Sequence, residues 1–96
     1  MNRIQQLRER RDAILRIADR HGARNLRLFG SAARGEEGPE SDLDFLVDFA
    51  PDRSLVDHVA LKQELEDLLG REVDVVSERA LHPLMKDEIC REAVVL

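Results

Sequence analysis

Apolar residues recur along this chain in two rhythms, and the changes of rhythm mark its elements. From Met1 to His21, Ile4, Leu7, Ile14, Leu15 and Ala18 are spaced as one face of a helix, with arginine and glutamate between them. Gly22 closes that run. Asn25 to Phe29 alternates polar and apolar, as a short strand does. Asp42 to Phe49 is a second strand-like run and Glu72 to Val76 a third. Ala50-Pro51-Asp52-Arg53 reads as a turn. Ser54 with Asp57 then starts a helix that runs to about Leu69 and stops at Gly70. Leu55, Val59, Leu65, Leu68 and Leu69 are its expected buried side. Ser77 to Ala80 is a connector, and Pro83 opens a last helix, roughly Leu84 to Glu92, which His82 helps to cap. Val94-Val95-Leu96 suits an edge strand or a partner contact. The order α–β–α–β–α–β–α predicts an α/β (α+β) fold, a small mixed sheet flanked by helices. The 96 residues are expected to form one domain, 1–96, with a thin core and no internal repeat.

The chemistry gathers around the first two strands. Gly30 allows a tight turn and a close approach of backbone to ligand. Ser31 is an expected helix N-cap, followed by one turn, Ala32-Ala33-Arg34, that Gly35 ends. Free N–H groups at such a turn, with a serine hydroxyl, suit an anion. A polar loop from Glu36 to Ser41, with Gly38 and Pro39, leads into the second strand. Strand side chains alternate, so Asp42 and Asp44 share a face while Leu43, Phe45 and Val47 take the other. Aspartate is disfavoured in strands, and a metal would explain the pair. Mg²⁺ takes hard oxygen ligands, usually one or two carboxylates with water and substrate phosphates. A third carboxylate would admit a second ion. Asp74 in the third strand is the expected third ligand, with Glu72 the alternative. Arg34 is a candidate phosphate contact, weighed equally against a solvated arginine. Asp48 is expected to be solvated. His58 is expected at the surface, and His21 sits at a helix end, where a cation is favourable.

Gly-Ser-Ala-Ala-Arg-Gly followed by Ser-Asp-Leu-Asp resembles the Gly-Ser-x10-Asp-x-Asp signature of the polymerase-beta-type nucleotidyltransferases. The short length resembles their minimal nucleotidyltransferase (MNT) branch, over nearly the whole chain. The resemblance implies a polymerase-beta-like nucleotidyltransferase fold. It implies that Gly30 and Ser31 hold a triphosphate, that Asp42 and Asp44 bind metal, and that Asp74 completes the site. It also implies a function. Many such minimal proteins are antitoxins paired with a HEPN ribonuclease, and some transfer AMP from ATP, with magnesium, onto a tyrosine of that toxin. A binding antitoxin that acts by occlusion alone is the alternative. A small-molecule transferase of the aminoglycoside type is weaker, because a helical acceptor-binding domain is missing.

Composition narrows the partners. Aromatics are 3% of residues, with no Trp or Tyr, so stacking platforms for single-stranded nucleic acid are nearly absent. Net charge is −5, unevenly spread: residues 1–27 carry eight arginines against three acids, and the remainder seven basic residues against seventeen acids. Acidic walls around the proposed site repel a phosphate backbone and suit divalent cations or a basic protein. No direct nucleic acid contact is therefore expected. Cys90 stands alone, which excludes an internal disulfide and reads as a half-buried helix residue. With no signal peptide and no membrane-spanning run in view, a cytoplasmic location is expected. No Gly-x4-Gly-Lys-Ser/Thr run exists, so this is not a P-loop.

Overall fold

The computed structural model describes residues 3–35 and 42–96. The expected loop from Glu36 to Ser41 lies outside the described residues, as do Met1 and Asn2. The single expected first helix is two helices, α1 (Arg3–Glu9) and α2 (Arg11–Arg20), separated at Arg10 with φ −103° and ψ 13°. The Arg10 guanidinium reaches across to the Leu68 carbonyl. In α2 the buried stripe is Ile14, Ile17 and Ala18, whose three- and four-residue spacing keeps one helix face together. Leu15, expected in that stripe, is 38% exposed.

Strand β1 spans Ala23–Phe29, two residues longer than its alternation suggests. Asn25 takes φ +52°, a left-handed conformation that asparagine tolerates, and the register shifts between Arg24 and Arg27. Beyond the irregularity Leu26 and Leu28 face the main core, while Arg27 between them is buried on the opposite face against Glu78 and Cys90. Next come α3 (Gly30–Arg34), β2 (Leu43–Phe49), α4 (Leu55–Leu69), β3 (Val73–Ser77), a 3-10 turn (Glu78–Ala80), α5 (Pro83–Glu92) and β4 (Val94–Val95). Among the described residues the strands form one mixed sheet in the order β3-β2-β1-β4. β2 is parallel to β3 and antiparallel to β1, and β4 lies antiparallel on the far side of β1. The C-terminal Val94-Val95 is thus an edge strand, as expected.

On one face of the sheet Phe45, Val47, Val73 and Val75 meet Ile14, Ile17, Leu61 and Leu65 in the main core. Burial of such side chains is the chief stabilising term. Leu46 points the other way and is also fully buried, on the face that α5 and the 3-10 turn partly cover. The capping box of α4 forms as its sequence predicts, between Ser54 and Asp57. Its buried side forms in part: Leu65 is buried and Leu68 and Leu69 pack on the core, whereas Leu55 is 75% and Val59 46% exposed. The helix instead turns His58, Leu61, Lys62, Leu65 and Glu66 toward β3, again at helical spacing.

Three of those side chains seal the outer edge of β3. His58 Nε2 donates to the Val75 carbonyl at 2.6 Å. Lys62 Nζ donates to the Val73 carbonyl at 2.8 Å, and the Val73 N–H donates to Glu66 at 3.1 Å. A carbonyl only accepts, so Nε2 of His58 carries the hydrogen. His58 is therefore not the loose surface residue expected. The Lys62 ammonium also holds Glu66 below its ordinary pKa, with the Val73 N–H adding to the effect. On the opposite side of α4, His21 approaches Glu64 at 2.9 Å and links α2 to α4.

Asp48, expected to be solvated, belongs to a polar cluster beneath α5. Arg27, 8% exposed, donates from Nε to the Asn25 carbonyl and brings Nη1 within 3.6 Å of Glu78. Cys90 Sγ donates to Glu78 at 3.1 Å, and Asn25 Nδ2 donates to Asp48 at 3.4 Å. The Cys90 thiol and the Asp48 carboxyl, helped by Arg27, pull Glu78 down from 4.5 to about 2. Burial, then hydrogen bonding to Glu78, pushes Asp48 up. The Glu78 carboxylate likewise raises Cys90, which keeps the thiol protonated and a poor nucleophile. A depressed acid stabilises the fold above its unfolded pKa and loses that contribution as pH falls through its folded value. Wild-type protein is expected to lose stability between about pH 4.5 and 2, partly offset by Asp48, and Glu78→Gln to flatten that loss. Thermal melts of both proteins across this window check it; parallel curves would refute the assignment to Glu78.

Candidate active site

β1 runs directly into α3, and the residue at the junction is Gly30, with φ +75°. Side-chain-bearing residues pay to adopt this conformation. A Cβ there would also collide with the Asp44 carboxylate. The phosphate-type turn and the paired-aspartate strand are therefore in direct contact. Cross-strand register completes the arrangement: Phe29 pairs with Asp44, and Asp44 with Asp74. Paired residues share a sheet face, so Asp44 and Asp74 lie side by side on the face opposite the main core.

Asp42 precedes β2 and is exposed, so its placement comes from the approach to the strand and not from strand alternation. Parallel pairing begins just there, with the Leu43 N–H donating to the Glu72 carbonyl at 3.2 Å. Glu72 likewise precedes β3, and it is Asp74 that stands opposite Asp44. Asp44 is half-buried, while Asp74 is exposed. Burial raises the Asp44 pKa, and the charges of Asp74 and then Asp42 raise it further; Arg34 opposes them. One carboxyl thus feels both neighbouring acids and the arginine at the end of α3.

Ser31 is not the N-cap of α3. That position is Phe29, whose side chain cannot cap, and Ser31 lies within the first turn. Arg34 is not simply solvated: its Nη1 lies 3.1 Å from Glu92 Oε2, an ion pair between α3 and α5. Sequence reading missed Glu92. The partners are 58 positions apart, and no local pattern joins them. The same holds for Arg27, which is buried against Glu78 and Cys90, the latter 63 positions away.

Among the described residues, no three His, Cys, Asp or Glu side chains stand close enough together to form a ready metal cage. Asp44 and Asp74 share one face and Asp42 lies at the approach to it, so the expected three-carboxylate cluster is not closed. Three like charges repel one another, which favours turning exposed carboxylates toward water. The donors Asp42, Asp44 and Asp74 are hard oxygens, and they fit Mg²⁺, which commonly takes only one or two carboxylates and fills its shell with water and phosphate.

Residues 10–96 match the family described as the nucleotidyltransferase domain. The chain belongs to that family. A Methanocaldococcus jannaschii protein, provisionally named a protein adenylyltransferase, is 49% identical over 81 residues, covering 84% of this chain and 87% of the relative. Protein adenylyltransferase MntA of Thermococcus cleftensis is 40% identical over 78 residues, covering 81% and 79%. A solved structure provisionally described as a minimal nucleotidyltransferase superposes with a TM-score of 0.89 at 51% identity, over the whole of this chain and 97% of that one. A toxin–antitoxin crystal structure with AMP-PNP gives a TM-score of 0.72 at 23% identity, covering 85% and 68%, a likeness of fold alone. The expected small mixed sheet flanked by helices is thus the nucleotidyltransferase fold.

In this nucleotidyltransferase Gly30→Ala is expected to push the Asp44 carboxylate aside. Transfer should fall at least about tenfold, while the backbone strain costs about 1 kcal/mol of stability. Paired rate and denaturation measurements separate the two effects; a fully active variant would show that the close approach is dispensable.

Proposed function

We propose that this nucleotidyltransferase is an antitoxin that moves AMP from ATP onto a hydroxyl, in the first instance a tyrosine, of a HEPN-type ribonuclease toxin, with Mg²⁺ present. The observation that carries the reading is the row in which Gly30 presses on Asp44 and Asp44 pairs with Asp74. The relatives named as adenylyltransferases support AMP as the transferred group. The toxin–antitoxin assemblies with this fold support a toxin as acceptor.

Asp42 and Asp44 would hold Mg²⁺, with Asp74 available for a second ion. When bound, the metal would supply neutralisation of triphosphate charge. The backbone at Gly30 and the Ser31 hydroxyl clamp the triphosphate. Arg34 offers donors to its oxygens. Asp74 orients the acceptor hydroxyl and takes its proton as the new oxygen–phosphorus bond forms at the α-phosphate. The bond to the β-phosphate breaks and pyrophosphate leaves. Catalysis is mainly positioning and charge compensation. The acidic surface after residue 27 favours a basic protein partner over nucleic acid. Cytoplasmic action on such a toxin is part of the same proposal; among the described residues no helix is long and apolar enough to cross a membrane.

The test is to mix the protein with the product of its neighbouring gene, ATP and Mg²⁺, and record intact masses. A gain in steps of one AMP supports the reading. A stable complex with unchanged mass would favour neutralisation by occlusion.

A further inference from the structure

β3 carries Asp74 and is an edge strand of five residues. One side of it pairs with β2, which sets Asp74 beside Asp44. The other side of an edge strand has no ladder, and its backbone groups are ordinarily left unpaired. Here α4 side chains bond them on both sides of Asp74. Before it, Lys62 Nζ donates to the Val73 carbonyl at 2.8 Å, and the Val73 N–H donates to Glu66 Oε2 at 3.1 Å. After it, His58 Nε2 donates to the Val75 carbonyl at 2.6 Å. Lys62 and Glu66 also meet each other at 2.9 Å, so the two side chains and Val73 form a closed triangle.

The place of this clamp matters more than its strength. The Val73 carbonyl belongs to the peptide unit that leads into Asp74, and that unit is planar and stiff. Holding its oxygen therefore holds the start of the Asp74 backbone. Val73 and Val75, 1% and 3% exposed, press the strand onto the core. The outer bonds oppose rocking of the strand about its own axis, the motion that would swing Asp74 away from Asp44. The Lys62 ammonium also lies close enough for the charge of Asp74 to act on it.

We infer that Lys62 and Glu66 are positioning residues for the transfer step, holding the β3 backbone so that the Asp74 carboxylate stays beside Asp44. The inference rests on the proposed transfer reading, in which Asp74 orients the acceptor hydroxyl. Neither residue touches substrate. Gly30, Asp42 and Asp44 stand outside β3, so nucleotide binding is largely independent of the clamp.

The experiment compares two readouts on the full chain. One is kcat for moving AMP from ATP onto the product of the neighbouring gene, with Mg²⁺. The other is the calorimetric affinity for AMP-PNP with Mg²⁺. The Lys62 side chain is 41% exposed, and methionine keeps its apolar stem. Lys62→Met should lower kcat about five- to tenfold, a fraction of the roughly hundredfold that a misplacement of about 1 Å can bring. AMP-PNP affinity should stay within about twofold, the mark of an interaction felt in the transition state alone. Lys62→Arg, which can still donate to the carbonyl, should return most of the rate. Glu66→Ala frees the Val73 N–H and should repeat the Lys62→Met pattern. A clamp that only stabilised the fold would lower the melting temperature and leave both readouts of the folded protein unchanged. That outcome would overturn the inference while leaving transfer in place. Equal losses of kcat and affinity, or an arginine variant no faster than the methionine one, would do the same. A wild-type protein that moves no AMP would overturn the transfer reading, and this inference with it.

Discussion

Asp44→Asn is expected to reduce nucleotidyl transfer by at least about a hundredfold, the scale of removing one preorganised electrostatic contact from a reacting centre, without destabilising the protein. The two halves of that expectation have one cause. Burial and the charges of Asp74 and Asp42 raise the Asp44 pKa in the folded state. An acid with a raised folded pKa costs stability as pH rises past its unfolded value, because the ionised form is the disfavoured one. Asparagine removes that cost along with the carboxylate charge. At neutral pH the variant should therefore melt at or above the wild-type temperature while failing to transfer. Rates with ATP and Mg²⁺, set beside melting curves, decide it. Retained transfer would remove Asp44 from the metal site; a large drop in Tm would show that its role is structural.

Phe45→Ala should have the largest effect on the fold. Phe45 is fully buried in the strand between β1 and β3, and its ring fills the space beneath α2 and α4. Truncating a buried phenylalanine costs about 3–5 kcal/mol. A domain of this size holds only about 5–15 kcal/mol in total, so the variant should be partly unfolded at modest denaturant. Leu55→Ala is the informative control. Leu55 is 75% exposed, and its loss should change stability by less than about 0.5 kcal/mol. Urea titrations of the two variants distinguish them. Similar midpoints would mean that the core has been placed on the wrong residues.

That control marks where sequence reading stopped. Helical spacing found α4, and capping chemistry fixed both of its ends, because those signals are local. Which side of α4 faces inward is not local. Leu55 and Val59 fit an apolar stripe as well as Leu61 and Leu65 do, and His58, Lys62 and Glu66 decided the matter by binding the β3 backbone. The first helix behaves similarly: its period continues through Arg10, but the reach of Arg10 to α4 goes with a break there. At the candidate site, the turn at Gly30 and the strand positions of Asp44 and Asp74 were legible because spacing and strand alternation are short-range; the parallel pairing that sets Asp74 beside Asp44 is not local. Ser31 as a cap was not legible, since the cap position of α3 is Phe29, two residues before the serine. The Arg34–Glu92 contact and the Asp48 cluster depend on how α5 crosses the sheet, which no short stretch encodes.

The sealed edge of β3 gives the sheet a direction of growth. Amide and carbonyl groups that would template another chain's strand are occupied there by α4, a common defence against edge-to-edge aggregation. The two residues of β4 are a short template at the opposite side. Self-association through sheet extension, the ordinary hazard of small mixed sheets, is thereby confined to one narrow margin. At acid pH protonation of Glu66 touches one point of this seal, the Val73 amide, while Lys62 and His58 still donate to the Val73 and Val75 carbonyls, so the β3 margin stays largely closed.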